Sequence, residues 1–125
     1  MKLERDLREF IGLLNARDVR YVIVGAYALA HHGRPRYTGA IDFFVESSAQ
    51  NAERLSHVLD QFGFANVGVV EEYFTAADQV VQLGVEPHRM DIMTSISAVE
   101  FEEAWNTREY GDSMACKFRL FRKNC

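Results

Sequence analysis

The first apolar positions of the chain repeat with helical spacing. Charged and polar residues separate them, and a helix of about 3.6 residues per turn would bring them onto one stripe. They are Leu3, Leu7, Phe10, Ile11 and Leu14. This pattern predicts an amphipathic helix whose apolar stripe faces a core.

The later apolar runs are short and rich in β-branched or aromatic residues, which is typical of strands. They lie at residues 21–24, 41–45, 78–85, 89–94 and 117–121. The third and fourth runs are joined by a short polar segment, Glu86-Pro87-His88, which predicts a hairpin. The last run alternates polar and apolar positions, so we expect one of its faces to be wet.

Helical segments alternate with these strands. Gly25 follows the first strand directly and residues 26–32 predict a short helix, so the two form a strand-to-helix elbow. Two later helices are predicted to begin at capping boxes, Ser47 with Gln50 and Ser97 with Glu100. Strands, crossover helices and a hairpin together predict an α/β (α+β) fold, with a mixed, largely antiparallel sheet and helices packed on it.

Composition narrows the class of protein. A length of 125 residues is usual for one domain, so we expect a single domain over residues 1–125. The net charge of -4 gives no general attraction to nucleic acid or acidic membranes. The N-terminus is charged and no apolar stretch approaches the roughly 18 residues of a membrane span, so we expect a cytoplasmic protein without a membrane partner.

Two aspartates interrupt the apolar runs. Asp42 lies between Ile41 and Phe43, and Asp91 lies in the run 89–94. A buried carboxylate without a partner costs several kcal/mol, so each needs a cation. If their strands are neighbours, about 4.8 Å apart, the two could meet on one face and suit Mg²⁺, which takes hard oxygen ligands. The alternative is that each aspartate pairs with an arginine such as Arg36 or Arg89.

At this point the chain resembles a known family. The stretch VIVGAYALAHHGRPRYTGAIDFFV, residues 22–45, is similar to the opening of the nucleotidyltransferase superfamily. It most resembles the small bacterial proteins related to the toxins of AbiE-type toxin-antitoxin systems. In that family a glycine and a small residue, matched by Gly25-Ala26, open a helix that cradles the nucleotide's phosphates. An acidic pair two residues apart follows on the next strand, and a later strand adds a third acid, matched by Asp91.

The resemblance implies a reaction and a site. Nucleoside monophosphate would pass from a nucleoside triphosphate to an acceptor, which elsewhere in the superfamily is a protein, a tRNA or a small molecule. Asp42 and Asp91 would be the catalytic residues and the ligands of two Mg²⁺ ions. Three residues of the loop before Asp42 could bind the phosphates, namely Arg34, Arg36 and Thr38, although surface charge and a turn explain them equally well.

The chain departs from the family at two places. Ala40 stands where the family has its first acid, two residues before Asp42, so we expect weakened Mg²⁺ binding and little or no transfer. The tail after Asp112, SMACKFRLFRKNC, lacks the expected last helices, and exposed apolar surface there predicts a homodimer. The alternative function is a noncatalytic nucleotide-binding or protein-interaction module, such as a toxin-antitoxin component with an antitoxin partner.

Overall fold

The structure, a computed structural model, describes residues 3–24, 40–63, 71–84, 89–113 and 116–120. In chain order its elements are α1 (Leu3–Ala16), β1 (Tyr21–Val24), β2 (Ala40–Val45), α2 (Ala49–Phe62), a 3-10 turn (Glu71–Phe74), β3 (Val80–Leu83), β4 (Arg89–Met93), α3 (Phe101–Asn106), β5 (Glu109–Ser113) and β6 (Cys116–Leu120). The amphipathic helix and the strands predicted from apolar runs are therefore confirmed. The predicted elbow after β1 and the hairpin turn at 86–88 lie outside the described residues.

The strands form one sheet in the order β3-β4-β2-β1-β6-β5. Neighbours run antiparallel in the pairs β3–β4, β1–β2 and β5–β6, and parallel in the pairs β2–β4 and β1–β6. The sheet is thus mixed and largely antiparallel, as predicted. Strand β5 was not predicted, because its sequence EYGDS has neither an apolar run nor a clean alternation.

Alternation along the strands divides the sheet into two faces. One face carries the larger core, in which side chains of Ile23, Ile41, Phe43, Met90 and Ile92 pack with helices α1 and α2. The helices contribute Leu7, Phe10, Ile11, Leu14, Ala52, Leu55, Val58 and Leu59. Aromatic rings pack between the sheet and the helices: Phe43 of β2 lies edge-on to Phe10 of α1, with ring centroids 5.3 Å apart.

The opposite face is covered by α3 over part of its width. There Val22, Val24, Phe44 and Ala104 form a smaller buried cluster, flanked by partly buried side chains that include Trp105. Two arginines lie against the Trp105 ring: the guanidinium carbon is 4.7 Å from the ring centroid for Arg20 and 3.8 Å for Arg108. Cation–π contacts of this kind help to hold α3 on the sheet.

Both predicted capping boxes need correction. Helix α2 begins one residue later than predicted, because the hydroxyl of Ser48, not that of Ser47, accepts the hydrogen bond from the backbone N–H of Asn51. Helix α3 begins at Phe101 with Glu100 as its N-cap, and no side chain caps it. Helix α2 ends at Gly63, which has the left-handed conformation, with φ of 104°, that favours glycine.

A buried amide fixes the edge of the larger core. Asn51 is 2% exposed, and its carbonyl accepts a hydrogen bond from the backbone N–H of Arg20 at 2.7 Å. Its amide nitrogen donates to the backbone carbonyls of Arg20 and Glu46, at 3.1 and 2.9 Å. The first turn of α2 is therefore bonded to the start of β1 and to the end of β2, which sets the orientation of the strand that carries Asp42.

The helices of the described segments include none with the length and apolar character that crossing a membrane requires.

Candidate active site

Asp42 and Asp91 lie side by side in the sheet. Strands β2 and β4 are parallel neighbours, and in their register the Cα partner of Asp42 is Asp91. Because partners in a sheet share a face, both carboxylates belong to the face that carries α3, opposite the larger core. The sequence prediction that these aspartates come from adjacent strands and the same face is therefore confirmed.

The neighbours of the pair come from the flanking strands. Val24, the last residue of β1, is the Cα partner of Asp42, and Gln82 of β3 is the partner of Asp91. Asp42 is half-buried, Asp91 is 7% exposed and Gln82 is exposed. The two carboxylates therefore lie between a buried apolar side and an accessible polar side.

Asp91 forms an ion pair with Arg89 of the same strand. Its Nε lies 2.9 Å from Oδ1 of Asp91, and its Nη2 donates a hydrogen bond to Oδ2 at 3.2 Å. The Nη2 contact is a charge-assisted hydrogen bond, and the Nε contact is a close approach of opposite charges without hydrogen-bond geometry. The alternative in which an arginine neutralises an aspartate is thus confirmed for Arg89 with Asp91.

The charge on Asp42 is less well compensated. Burial raises the pKa of the Asp42 carboxyl above its ordinary value, the nearby charge of Asp91 raises it further, and Arg89 acts in the opposite direction. The described residues give Asp42 no ion pair or hydrogen bond from its own side chain. Asp42 is therefore the carboxylate that gains most from a proton or from an added cation.

The comparisons with known proteins bear on this arrangement. No family model matches the chain, and no curated protein matches it. A solved structure does: a protein of Thermotoga maritima named a "putative nucleotidyltransferase". It aligns with a TM-score of 0.66 at 15% sequence identity, over 94% of this chain and 75% of that one. The fold is nucleotidyltransferase-like.

Position 40 is adjacent to Arg89 in the sheet. Ala40 begins β2, and its Cα partner in β4 is Arg89. The position at which the resembled family has its first acid therefore faces a basic residue here. Among the side chains that the structure describes, no group of three drawn from His, Cys, Asp and Glu could hold a metal ion.

Other predicted site residues cannot be placed. Gly25, Ala26, Arg34, Arg36 and Thr38 lie outside the described residues. Glu46, the other acid near β2, is engaged elsewhere. It forms an ion pair with Arg20 at 3.2 Å and accepts a hydrogen bond from the Ser48 hydroxyl at 2.9 Å. Glu46 therefore does not supply the acid that the resemblance implies at position 40.

Replacing Asp42 by asparagine is expected to stabilise the metal-free protein at neutral pH. A carboxyl whose pKa is raised by folding contributes stability below its unfolded pKa, and that contribution is lost as the pH rises through the folded pKa. The variant lacks this loss. The difference in free energy of unfolding between the variant and the unchanged protein should therefore grow from about pH 4 toward pH 7. Urea unfolding of both proteins across that range measures it.

The same substitution at the exposed Asp60 controls for the change of residue type. An advantage of Asp42→Asn that is constant with pH, or that is largest in acid, would contradict the raised pKa of the Asp42 carboxyl.

Proposed function

We propose that this protein is a nucleotide-binding domain of the nucleotidyltransferase type that keeps a reduced metal site and transfers nucleotides poorly or not at all. The observation that carries the proposal is the direct register of Asp42 with Asp91 on parallel neighbouring strands. The nucleotidyltransferase-like fold supports it, because the same fold occurs in the Thermotoga maritima protein named above.

The donor set fits one divalent cation better than two. Mg²⁺ is commonly held by one or two carboxylates, with water and substrate phosphates as its other ligands. Asp42 and Asp91 would hold it, and the bound ion would neutralise the triphosphate and polarise the phosphorus under attack. A second ion would need more negative charge than two carboxylates and one guanidinium provide.

The remaining residues give the substrate a place to bind. Val24 is the Cα partner of Asp42 and precedes Gly25, so the chain leaves β1 next to the carboxylates. Gly25-Ala26 would then offer backbone N–H groups to the phosphates, and Arg34, Arg36 and Thr38 would add contacts to them. The exposed Gln82, level with Asp91, is available to the substrate or the acceptor from the other side.

The loss of the acid at position 40 accounts for weak catalysis. A ligand missing from the metal site removes several kcal/mol of transition-state stabilisation, which corresponds to about a thousandfold or more in rate. Binding of metal and nucleotide suffers less, because Asp42, Asp91 and the phosphate-binding segment remain. We therefore propose that this chain still binds metal and nucleotide although it transfers nucleotides poorly or not at all.

Thermal unfolding tests the proposal directly. A ligand that binds only the native state adds about 1.4 kcal/mol at ten times its Kd, which raises the Tm of a domain of this size by roughly 4–6 °C. We expect a rise with Mg²⁺ and ATP or GTP together that exceeds the rise with either alone. Asp42→Asn should lose this rise, and Asp60→Asn should keep it.

A noncatalytic interaction module is the second candidate, favoured by the Arg89–Asp91 ion pair, which neutralises Asp91 without a metal. It predicts equal Tm values with and without Mg²⁺ and nucleotide. That result would remove the nucleotide-binding proposal, and a search for an antitoxin-like partner or a homodimer would then be the next experiment.

A further inference from the structure

Arg89 has the position and the charge of a resident cation in this site. It belongs to β4, two residues before Asp91, and therefore shares a face with it. Its side chain is 26% exposed, and that of Asp91 is 9% exposed. The ion pair between them is therefore largely withdrawn from water. A partly buried pair attracts more strongly than an exposed one, so another cation displaces Arg89 less easily.

Both oxygens of Asp91 are involved in this pair. Oδ1 lies 2.9 Å from Nε of Arg89, and Oδ2 accepts a hydrogen bond from Nη2 at 3.2 Å. A divalent cation held by Asp91 would use the same oxygens, and a guanidinium next to it would repel it. Metal and Arg89 would therefore compete for Asp91, whereas Asp42 has no ion pair among the described contacts.

We propose that Arg89 competes with divalent cations for Asp91. A metal can then use Asp91 as a ligand only after the Arg89–Asp91 pair opens. The inference rests on the proposed function in one respect, which is that Asp91 is a metal ligand. It goes beyond the missing acid, because it assigns part of the weak metal binding to a residue that is present.

The proposal also explains the chemistry of the neighbouring position. Ala40 is the Cα partner of Arg89, so an acid there would stand beside the same guanidinium and could share it with Asp91. Without that acid, the ion pair of Arg89 at this position is with Asp91. The site then carries a net charge of about -1 from two carboxylates and one guanidinium, too little for two divalent ions.

The test measures the affinity of the protein for Mn²⁺ alone, which prefers the same carboxylate ligands and can be counted by electron paramagnetic resonance. We expect Arg89→Gln to bind Mn²⁺ about tenfold to a hundredfold more tightly than the unchanged protein. That factor corresponds to the strength of a charge-assisted hydrogen bond. Adding Asp91→Asn to the Arg89→Gln variant should abolish the gain.

Arg20→Gln is the matched control. Arg20 is also ion-paired and 31% exposed, but it precedes Tyr21, whose Cα partner is Val45 at the other end of β2 from Ala40. Its loss should leave Mn²⁺ affinity unchanged. Arg89→Lys keeps the charge without the two-pronged contact, so it should give an intermediate affinity, and it serves as the second variant if Arg89→Gln does not fold.

Unchanged or weaker Mn²⁺ binding in folded Arg89→Gln or Arg89→Lys would overturn the proposal, as would an equal gain in Arg20→Gln. Failure of the proposed function looks different. The unchanged protein would then show no Tm rise with Mg²⁺ and nucleotide, while the difference in Mn²⁺ affinity between Arg89→Gln and Arg20→Gln would persist.

Discussion

Replacing Ala40 by aspartate is expected to raise metal-dependent nucleotide transfer by about a thousandfold over the unchanged protein. Position 40 is two residues before Asp42 in β2, and residues two apart in a strand share a face. The new carboxylate would therefore lie on the face of Asp42 and Asp91 and complete a set of three. Three carboxylates supply the charge that two divalent ions need.

The gain should be limited by Arg89. Its Cα partner is Ala40, so the new carboxylate would attract the same guanidinium that now binds Asp91. The double variant Ala40→Asp with Arg89→Gln should therefore transfer nucleotides faster than Ala40→Asp alone. A double variant that is slower would show instead that Arg89 assists the substrate.

The measurement is transfer of label from α-labelled nucleoside triphosphates to a bacterial extract, which contains protein, tRNA and small-molecule acceptors. Ala40→Asn is the matched control, because asparagine is nearly the same size as aspartate but uncharged. It should transfer nucleotides no faster than the unchanged protein. If Ala40→Asp is folded and binds Mg²⁺ with nucleotide but transfers nothing, the proposal that an acid at position 40 limits transfer is wrong.

Much of this site could be predicted from sequence, because an acid within a short apolar strand is costly wherever it lies. Asp42 and Asp91 each break a run of buried residues, and that cost indicates a cation nearby. The strands themselves are equally readable: β1 is YVIV, and all four of its residues are buried. Local composition is sufficient for features of this kind.

Register and partner choice could not be predicted, because they depend on contacts between distant segments. Nothing in the two local sequences specifies that Asp42 is level with Asp91, and the sequence named Arg89 only as one candidate partner beside Arg36. Asn51 looks like an ordinary residue in the first turn of a helix, yet it is buried and bonded to two strands. Its partners lie too far along the chain for a periodic pattern to show them.

Adjacent residues with equal propensity raise a related difficulty. Ser47 and Ser48 are both good N-caps, and the sequence rule selected Ser47 because Gln50 follows at the capping-box spacing. In the structure the hydroxyl of Ser48 accepts the hydrogen bond from the backbone N–H of Asn51. The side chain of Asn51 is in turn bonded to the backbone of Arg20 and Glu46, so contacts with distant segments accompany the choice between two caps that are locally equivalent.

Truncation of Phe43 to alanine is expected to lower the free energy of unfolding by about 3–5 kcal/mol. The ring is fully buried, and its centroid is 5.3 Å from that of Phe10 and 6.0 Å from that of Tyr21. Removing it leaves a cavity between β2 and α1 that the rigid sheet cannot close. Since small domains are stable by only about 5–15 kcal/mol, the variant should unfold at much lower urea concentration.

The same truncation at Tyr73 is the control, because that ring is 46% exposed and its loss should change the unfolding free energy by about 0.5 kcal/mol or less. A loss below about 1 kcal/mol in Phe43→Ala would contradict the packing of β2 on α1. Phe43 and Asp42 are consecutive residues on opposite faces of one strand, so this packing also fixes the site. Mg²⁺ and nucleotide should still raise the Tm of Phe43→Ala, because they bind its folded form. At ten times their Kd they should restore only about 1.4 kcal/mol of the lost stability.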